Sequence, residues 1–168
     1  MMKEILTADN TDGISIYGIT ICRVSIDVIV DLRHRLLRAG LPKEAAQFPG
    51  DEMASTWHFG LFHPWPPDEN APVVSCASFM LDPYNGEPAW RLRGMCTETA
   101  YQSRGFGGKL LACAERAIMN DSNLRLFWCN ARVPALAFYE RHGWKVNSGE
   151  FDIPTAGPHR RMVKRVTA

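Results

Sequence analysis

The sequence predicts an α/β fold with a mixed sheet, and three observations lead to this prediction. Residues 57–63 and 73–81 are strand-like runs joined by a proline-rich connection at residues 64–70, which is typical of an antiparallel hairpin. Between residues 90 and 129 a strand-like run, a glycine-rich turn, a helical run and another strand-like run follow one another. This order predicts a right-handed crossover between two parallel strands. A last strand-like pair near the C-terminus closes the sheet.

Length and charge limit the kinds of protein that this chain can be. With 168 residues it is expected to form one domain over residues 1–168, in which residues 1–13 are a flexible tail or an extra edge piece. The formal net charge of +1 gives no electrostatic reason to expect a nucleic-acid partner. No apolar stretch reaches membrane-spanning length and no signal-peptide core is present, so we expect a cytoplasmic protein without a membrane partner. The sequence leaves a homodimer open.

The cysteines and histidines indicate neither disulfides nor a metal site. The five cysteines are odd in number, widely spaced and without a Cys-x-x-Cys pair, so they are expected to be reduced thiols in the core. The five histidines are scattered and share no helix face, which argues against a bound metal ion. The cysteines are Cys22, Cys76, Cys96, Cys113 and Cys129.

The first part of the chain predicts a strand and a helix ahead of the hairpin. β-branched and aromatic residues indicate a strand over residues 14–24, bent at Gly18. Ser25 is a suitable N-cap for an amphipathic helix over residues 26–37. The irregular stretch at residues 41–56 is long for a connection, and long loops of this kind often line sites.

The second part predicts the crossover unit and a short helix after it. Residues 90–97 form the first strand, and apolar positions recur at helical spacing after Gly108. Residues 124–129 form the next strand, which is expected to end before Asn130. Residues 132–143 have proline near the start and glycine at the end, the asymmetry of a short helix. The closing antiparallel pair comprises residues 144–146 and 160–166, across a loop at residues 147–158.

The turn at residues 101–108, Tyr-Gln-Ser-Arg-Gly-Phe-Gly-Gly, is the strongest candidate for a binding site. A helix start reached through glycines offers free N–H groups to a phosphate, and Arg104 adds a positive charge that can form two contacts with phosphate oxygens. A P-loop is excluded because Leu110 stands where a magnesium-binding Ser or Thr is required, and the dinucleotide fingerprint fits poorly. The third pattern, Gln/Arg-x-x-Gly-x-Gly/Ala after a strand, is present at residues 102–107. A purely structural turn is the alternative.

Several segments, in order, resemble the signature of the GNAT acetyltransferase superfamily. They are Leu-Arg-Gly-Met-Cys-Thr at residues 92–97, the glycine turn, Asn130, and Phe-Tyr-Glu-Arg-His-Gly-Trp at residues 138–144. The resemblance covers roughly residues 88–148. It implies a GNAT-like fold, with a mostly antiparallel mixed sheet, splayed central parallel strands and flanking helices.

The resemblance also implies acetyl-coenzyme A as the cosubstrate. In the family the strand before the turn binds the pantetheine arm, the turn binds the pyrophosphate, and an asparagine after the next strand contacts the cofactor. Thr97, Thr99 and Phe106 depart from the family pattern, but none of them removes a backbone donor. The implied cofactor-binding residues are Met95, Cys96, Thr97, Gln102, Ser103, Arg104, Gly105, Phe106, Gly107, Gly108 and Asn130.

The implied reaction is transfer of an acetyl or similar acyl group from coenzyme A to an amine of a small molecule or a peptide. Tyr139 matches the family tyrosine that often protonates the departing thiolate, and simple packing is the alternative role for this residue. A non-catalytic acyl-coenzyme A sensor and a purely structural α/β domain are the competing function classes.

The other catalytic groups are less well marked. Glu98 follows the strand and is the first candidate for the base, ahead of His58 and Asp51, while a water relay would need none of them. The N–H group of Met95 or Cys96 is expected to polarise the carbonyl, because splayed parallel strands leave such groups unpaired. Cys96 itself is not expected to act as a nucleophile, because it lies in an apolar strand and no histidine has a spacing that would indicate a base for it.

The acceptor is not identified by any motif. Arg91 and Arg93 alternate with Leu92 and therefore share one face of their strand. They could meet an acidic acceptor, but exposure to solvent is the simpler expectation.

Overall fold

A computed structural model describes residues 5–6, 18–63 and 71–167, and these form a nine-stranded sheet with helices on both faces. The strands are β1 (Ile5–Leu6), β2 (Thr20–Val24), β3 (Trp57–Phe62), β4 (Val73–Leu81), β5 (Trp90–Thr97), β6 (Leu126–Arg132), β7 (Lys145–Val146), β8 (Phe151–Ile153) and β9 (Gly157–Arg165). The helices are α1 (Ile26–Leu37), α2 (Phe106–Asp121) and α3 (Leu136–Arg141). None of the helices described is long and apolar enough to cross a membrane.

The sheet is antiparallel except at its centre, which confirms the predicted fold class. The strand order is β1-β2-β3-β4-β5-β6-β9-β7, and β8 pairs with β9. Strands β5 and β6 are parallel, and their pairing extends only from Trp90 and Phe127 to Leu92 and Cys129. Both strands continue beyond this point without pairing to each other, so they diverge as the GNAT resemblance implies.

The two long helices cover opposite faces of the sheet. Successive residues of a strand point to opposite faces, and β4 shows this clearly. Cys76 packs with Ile29 and Leu32 of α1, whereas Ala77 and Phe79 belong to the larger core. The buried residues that α2 contributes to this larger core are Phe106, Leu110, Leu111, Cys113, Ala114 and Ile118.

A β-bulge in β5 lies just beyond the last residue that pairs with β6. Ser78 of β4 is opposite Arg93 and Cys76 is opposite Cys96, so Gly94 and Met95 together face the single residue between them on β4. Gly94 has a φ of +58°, a conformation that residues with a side chain rarely adopt. Because a bulge bends its strand, this feature turns β5 away from β6.

The guanidinium of Arg33 fills the space beside the bulge. A Cβ atom on Gly94 would lie 2.8 Å from Arg33 Cζ. Arg33 is fully buried on α1, and it donates hydrogen bonds to Asp51 Oδ2 at 2.6 Å and to the Ser78 hydroxyl. It also donates to the Ala46 carbonyl at 3.3 Å. The arginine therefore joins α1, the following connection and the sheet. The apolar periodicity of α1 did not predict that Arg33 would be buried.

Three features of the second half differ from the prediction. The strand expected over residues 124–129 is β6, which extends through Asn130 because β9 supplies hydrogen-bond partners beyond the expected end. Asn130 is therefore inside the strand rather than after it. The loop at residues 147–158 contains β8, whose pairing with β9 has no strong local signal. The helix expected over residues 132–143 consists of a 3-10 turn at Val133–Ala135 and α3.

The described residues of the N-terminal part form a short edge strand. Ile5 pairs with Cys22 and Leu6 with Ile21 in antiparallel fashion, so this piece adds an edge strand to the sheet. The first strand is described only from Thr20 to Val24, and residues 14–17 of its predicted span lie outside the described residues. The connection at residues 64–70 also lies outside them.

None of the five cysteines, all of which lie among the described residues, forms a disulfide, and four of them are buried. Packing nevertheless brings two of them together, because Cys76 and Cys96 are opposite each other on β4 and β5, with 3.6 Å between their Sγ atoms. Their spacing along the chain gave no indication of this contact.

Replacing Gly94 by alanine tests the contact with Arg33. We expect Gly94→Ala to destabilise the protein by about 1–2 kcal/mol through its positive φ and by about 1–3 kcal/mol more through overpacking against Arg33. Gly86→Ala is the matched control, because Gly86 has a φ of +82° but nothing lies within 4 Å of an added Cβ. Urea unfolding measures both variants, and equal losses of stability would contradict a tight Arg33 contact.

Candidate functional site

A cavity of about 860 Å³ lies against the glycine turn, at the end of β5. This glycine-turn cavity is lined by residues 95–97, by residues 101–103 and 105–109, and by α3 residues that include Phe138 and Tyr139. Its volume is that of a small-molecule or cofactor site.

The start of α2 directs backbone N–H groups into this region. Gly105 has a φ of +77° and occupies the position before the helix. Lys109 N donates to Gly105 O at 3.0 Å, and this is the first bond of the helix. The N–H groups of residues 106–108 precede that bond and have no partner within the helix. Together with the positive end of the helix dipole they form a site suited to an anion.

Two of the glycines are needed because other groups approach them closely. A Cβ atom on Gly107 would lie 3.2 Å from Thr97 Oγ1, and one on Gly108 would lie 2.7 Å from His142 Nε2. His142 lines the same cavity, and burial and then the positive charges of Lys164 and Arg141 lower its pKa. The missing side chains therefore leave room for the turn to pack against β5 and α3.

Most of the residues predicted to bind the cofactor do lie along this cavity. Phe106 is 6% exposed and its ring stacks on Tyr101, so its side chain packs in the core beside the cavity. Arg104 is exposed, with its guanidinium 5.3 Å from the Tyr101 ring, and it does not line the cavity. The residues of the predicted set that line it are Met95, Cys96, Thr97, Gln102, Ser103, Gly105, Phe106, Gly107 and Gly108.

Lys109 and Arg141 also line the glycine-turn cavity, and the sequence had not assigned them to the site. Lys109 follows the last glycine on α2, and Arg141 is the last residue of α3. Their cationic side chains add to the positive character that the helix start gives to this cavity. Lys109 could have been suspected from its position next to the turn, whereas Arg141 carries no local signal.

A second cavity of about 400 Å³ lies where α1, β5, β6 and the beginning of β9 come together. This arginine cavity is lined by four arginines, Arg38, Arg91, Arg93 and Arg132. Asn130 lines it as well, rather than the glycine-turn cavity, and its Oδ1 atom is buried without a hydrogen-bond partner among the described residues.

Tyr139 lies where the two cavities meet. Met95, Ala135 and Tyr139 line both of them, so molecules bound on the two sides can approach each other there. Tyr139 is 8% exposed, and its ring packs against Phe138 and Trp144 at centroid distances of 5.1 and 5.6 Å. Burial raises the pKa of the Tyr139 phenol, which therefore carries its proton at neutral pH.

Glu98 is held away from this junction. One of its carboxylate oxygens lies 2.6 Å from an Arg35 nitrogen, and the other accepts a hydrogen bond from Thr99 N at 3.2 Å. Glu98 lines neither cavity. Its described contacts are those of a capping residue and an ion-pair partner of α1.

His58 and Asp51, the other bases considered from the sequence, belong to the buried network around Arg33. The Asp51 carbonyl can only accept a hydrogen bond, so His58 Nε2, 2.9 Å away, carries the ring proton. His58 Nδ1 lies 2.5 Å from the Ser78 hydroxyl. Burial lowers the pKa of His58, which keeps its ring neutral. Neither His58 nor Asp51 lines the glycine-turn cavity or the second cavity described above, and their contacts connect α1 to the sheet.

His159 lines the arginine cavity, and the sequence gave no reason to select it. It is 5% exposed, in β9, opposite Arg132 of β6. Its Nδ1 atom lies 2.7 Å from the Gly157 carbonyl oxygen, which can only accept. Nδ1 therefore holds the proton of the neutral ring, and Nε2, which has no hydrogen-bond partner among the described residues, can accept one.

The expectation that Arg91 and Arg93 face solvent is wrong. Their side chains are 27% and 14% exposed, and they pair with Asp82 at 3.0 Å and with Asp51 at 3.3 Å. Their guanidiniums also lie near aromatic rings, that of Arg91 at 4.5 Å from the Trp128 ring and that of Arg93 at 5.5 Å from the Phe48 ring.

Cys96 lines the glycine-turn cavity, but its thiol is a poor nucleophile. The hydrogen bond with Cys76 and then burial raise the pKa of Cys96, so the reactive thiolate is not formed. This agrees with the expectation from the sequence.

Comparisons with known proteins extend this description. The model of a family described as "Acetyltransferase (GNAT) domain" matches residues 68–146. The "Uncharacterized N-acetyltransferase YitI" of Bacillus subtilis (strain 168) is 33% identical over 144 residues, which are 84% of this chain and 92% of that protein.

Solved structures show the same fold at low sequence identity. An acyl-CoA N-acyltransferase from Pseudomonas aeruginosa is 14% identical to this chain, with a TM-score of 0.60. The aligned region is 83% of this chain and 89% of that chain. An aminoglycoside 6'-N-acetyltransferase complexed with coenzyme A is 13% identical, with a TM-score of 0.66. The aligned region is 88% of this chain and 97% of that chain. The resemblance stated from the sequence is confirmed, and the chain belongs to the GNAT acetyltransferase family.

Proposed function

We propose that this protein transfers an acetyl or similar acyl group to an amine bound in the arginine cavity, by direct attack while both substrates are bound. The observation that carries the proposal is the junction at Met95, Ala135 and Tyr139, which line both cavities. The GNAT family uses acetyl-coenzyme A, which supplies the activated acetyl thioester when it is bound.

The glycine-turn cavity is suited to the phosphate-rich cosubstrate. The N–H groups of residues 106–108 can donate to phosphate oxygens, and the absence of side chains at Gly107 and Gly108 lets an anion approach the backbone. Lys109 and Arg141 add positive charge along the same wall. These residues would hold the pyrophosphate and the parts next to it.

The end of β5 and Tyr139 would assist the acyl transfer. Beyond Leu92, β5 has no strand partner on the side of β6 among the described residues, so an N–H group of Met95 or Cys96 would be available to polarise a carbonyl. Tyr139 keeps its proton because of burial, and its phenol would give that proton to the departing sulfur. Donor and acceptor would thus be handled at one place between the cavities.

The amine must lose a proton before or during its attack. No Asp or Glu lines the described part of the arginine cavity, whereas His159 lines it with Nε2 free to accept a proton. We therefore place the base at His159, with Glu98, the candidate from the sequence, as the alternative. Both assignments are tested below.

Acetyl-coenzyme A is expected to raise the melting temperature, because a ligand of the folded state stabilises it by about 2.7 kcal/mol at a hundredfold excess over Kd. Gly107→Asp should abolish this shift by placing a side chain and a negative charge beside the phosphates. Gly149→Asp is the control, since a Cβ there meets nothing within 4 Å. Each shift is measured relative to the same variant without ligand. A normal shift in Gly107→Asp would show that the turn does not bind the cosubstrate.

Tyr139→Phe removes the hydroxyl and keeps the ring that packs against Phe138 and Trp144. We expect an unchanged thermal shift with acetyl-coenzyme A and a fall in kcat of about one to three orders of magnitude, measured as release of coenzyme A with a panel of amines. The defect should shrink towards pH 9, because a thiol with a pKa of about 8.5 departs more readily without protonation at high pH. Turnover at the parental rate would leave Tyr139 as a packing residue.

The two candidate bases can be compared directly. His159→Gln should lower kcat by about a hundredfold, the low end of the usual contribution of a general base, with an unchanged thermal shift on acetyl-coenzyme A. Glu98→Gln should stay within about twofold of the parent, because a glutamine oxygen can still accept from Thr99 N. The reverse result would favour Glu98, and normal turnover in both variants would favour a water relay.

A further inference from the structure

The positive charge on the wall of the arginine cavity is only partly neutralised. Arg91 pairs with Asp82, and Arg93 pairs with Asp51, so these two guanidiniums have carboxylate partners. The remaining guanidiniums of the lining belong to Arg38 and Arg132. Within residues 5–6, 18–63 and 71–167, no carboxylate oxygen lies within 4 Å of either of them.

Arg38 and Arg132 converge on a single oxygen atom. Arg38 Nη1 and Arg132 Nη2 both donate to the carbonyl of Leu37, at 2.9 and 3.1 Å. This carbonyl belongs to the last residue of α1, where the helix dipole is negative and favours cations. One carbonyl occupies one N–H group of each side chain, and each guanidinium has five. Most of their donors therefore remain available to another acceptor.

This pair of like charges is unfavourable unless an anion joins it. Burial lowers the pKa of Arg38, and the nearby positive charges of Arg132 and Arg33 lower it further. The second effect is the repulsion between like charges. Arg38 is also held by the face of Phe48, 5.0 Å from its guanidinium. The side chains are thus fixed beside each other without a carboxylate of their own, the arrangement by which proteins bind carboxylate and phosphate groups.

The same small cavity holds groups suited to an amine. Its volume of about 400 Å³ admits a small molecule, and Tyr139 and His159 line it together with the two arginines. Asn130 Oδ1 is buried in the wall without a partner among the described residues, and it can accept a hydrogen bond from an N–H group. One wall therefore offers donors for an anion, while other groups offer acceptors for an amine.

We propose that the acceptor is a small amine that also carries a carboxylate or a phosphate group, and that Arg38 and Arg132 bind this anion. The inference rests on the proposed function and names the chemical class of its acceptor. It disfavours polycationic amines, because the four arginines of the lining repel them.

Matched pairs of amines test the inference by binding, independently of turnover. Isothermal titration in the presence of saturating coenzyme A compares β-alanine with propylamine, and O-phosphoethanolamine with ethanolamine. We expect the anionic member of at least one pair to bind about tenfold or more tightly than its neutral partner, and higher salt to reduce the difference. The two pairs separate a carboxylate preference from a phosphate preference. Equal affinities within both pairs, or no detectable binding of either anionic amine, would overturn the proposal.

Substitution of the two arginines locates the anion. Arg38→Gln and Arg132→Gln should each weaken binding of the preferred anionic amine by about 10- to 100-fold and leave the neutral amine unchanged. Arg165→Gln is the control, because Arg165 is an exposed arginine that pairs with Glu87 outside both cavities. A cooperative melting transition without ligand reports that each variant is folded, and Arg→Lys replacements keep the charge if a Gln variant fails this check.

The outcomes separate this inference from the proposed function. If both Gln variants still prefer the anionic amine, the role of Arg38 and Arg132 is overturned. Loss of the acetyl-coenzyme A shift in these folded variants would also overturn it, because the arginines would then bind the cosubstrate. If anionic amines bind through the arginines but no coenzyme A is released, the acceptor class holds and the proposed transfer fails. If coenzyme A is released with neutral and anionic amines at equal kcat/KM, and both bind with equal affinity, the proposed transfer holds and the acceptor class is overturned.

Discussion

The buried guanidinium of Arg33 is the constraint on which the site depends. It fills the space beside Gly94 where a side chain would otherwise stand, and it is held by Asp51 and Ser78. A buried charge is tolerated only when it is paired, so α1, the connection after it and β4 must keep their relative positions. The bulge at Gly94 then turns β5 away from β6. The opening between these strands is where the two cavities meet.

On the other side of the opening, the glycine turn is fixed by packing rather than by its own hydrogen bonds alone. Phe106 and Tyr101 stack on each other and contact the ring of His63, so the turn is anchored to the core immediately before the helix begins. Gly107 and Gly108 lie against Thr97 and the ring of His142 without intervening side chains. The helix start is therefore presented in one orientation, which an anion site requires because its donors must be preorganised.

The charges around the site are arranged in two ways. Arg33 and Arg93 share the Asp51 carboxylate and Arg91 pairs with Asp82, and these ion pairs stabilise the frame of the site. Arg38 and Arg132 share a helix carbonyl instead, and their remaining donors are not used by a described carboxylate. The arginines of the frame thus have carboxylate partners, while the two on one wall of the arginine cavity have none among the described residues. This difference is the reason why the acceptor can be inferred from charge even though no sequence motif describes it.

The sequence by itself determined the mixed sheet, α1 at Ile26–Leu37, β5 at Trp90–Thr97 and the glycine turn that begins α2, because periodicity, capping and glycine conformation are properties of neighbouring residues. Tertiary structure alone decided which side chains meet. Arg38 and Arg132 come from distant elements, and His159 reaches the cavity because β9 pairs with β6. Glu98 stands next to the motif in sequence, yet an ion pair with α1 holds it outside both cavities. Such contacts depend on how helices and strands pack against each other, and local sequence patterns do not predict that packing.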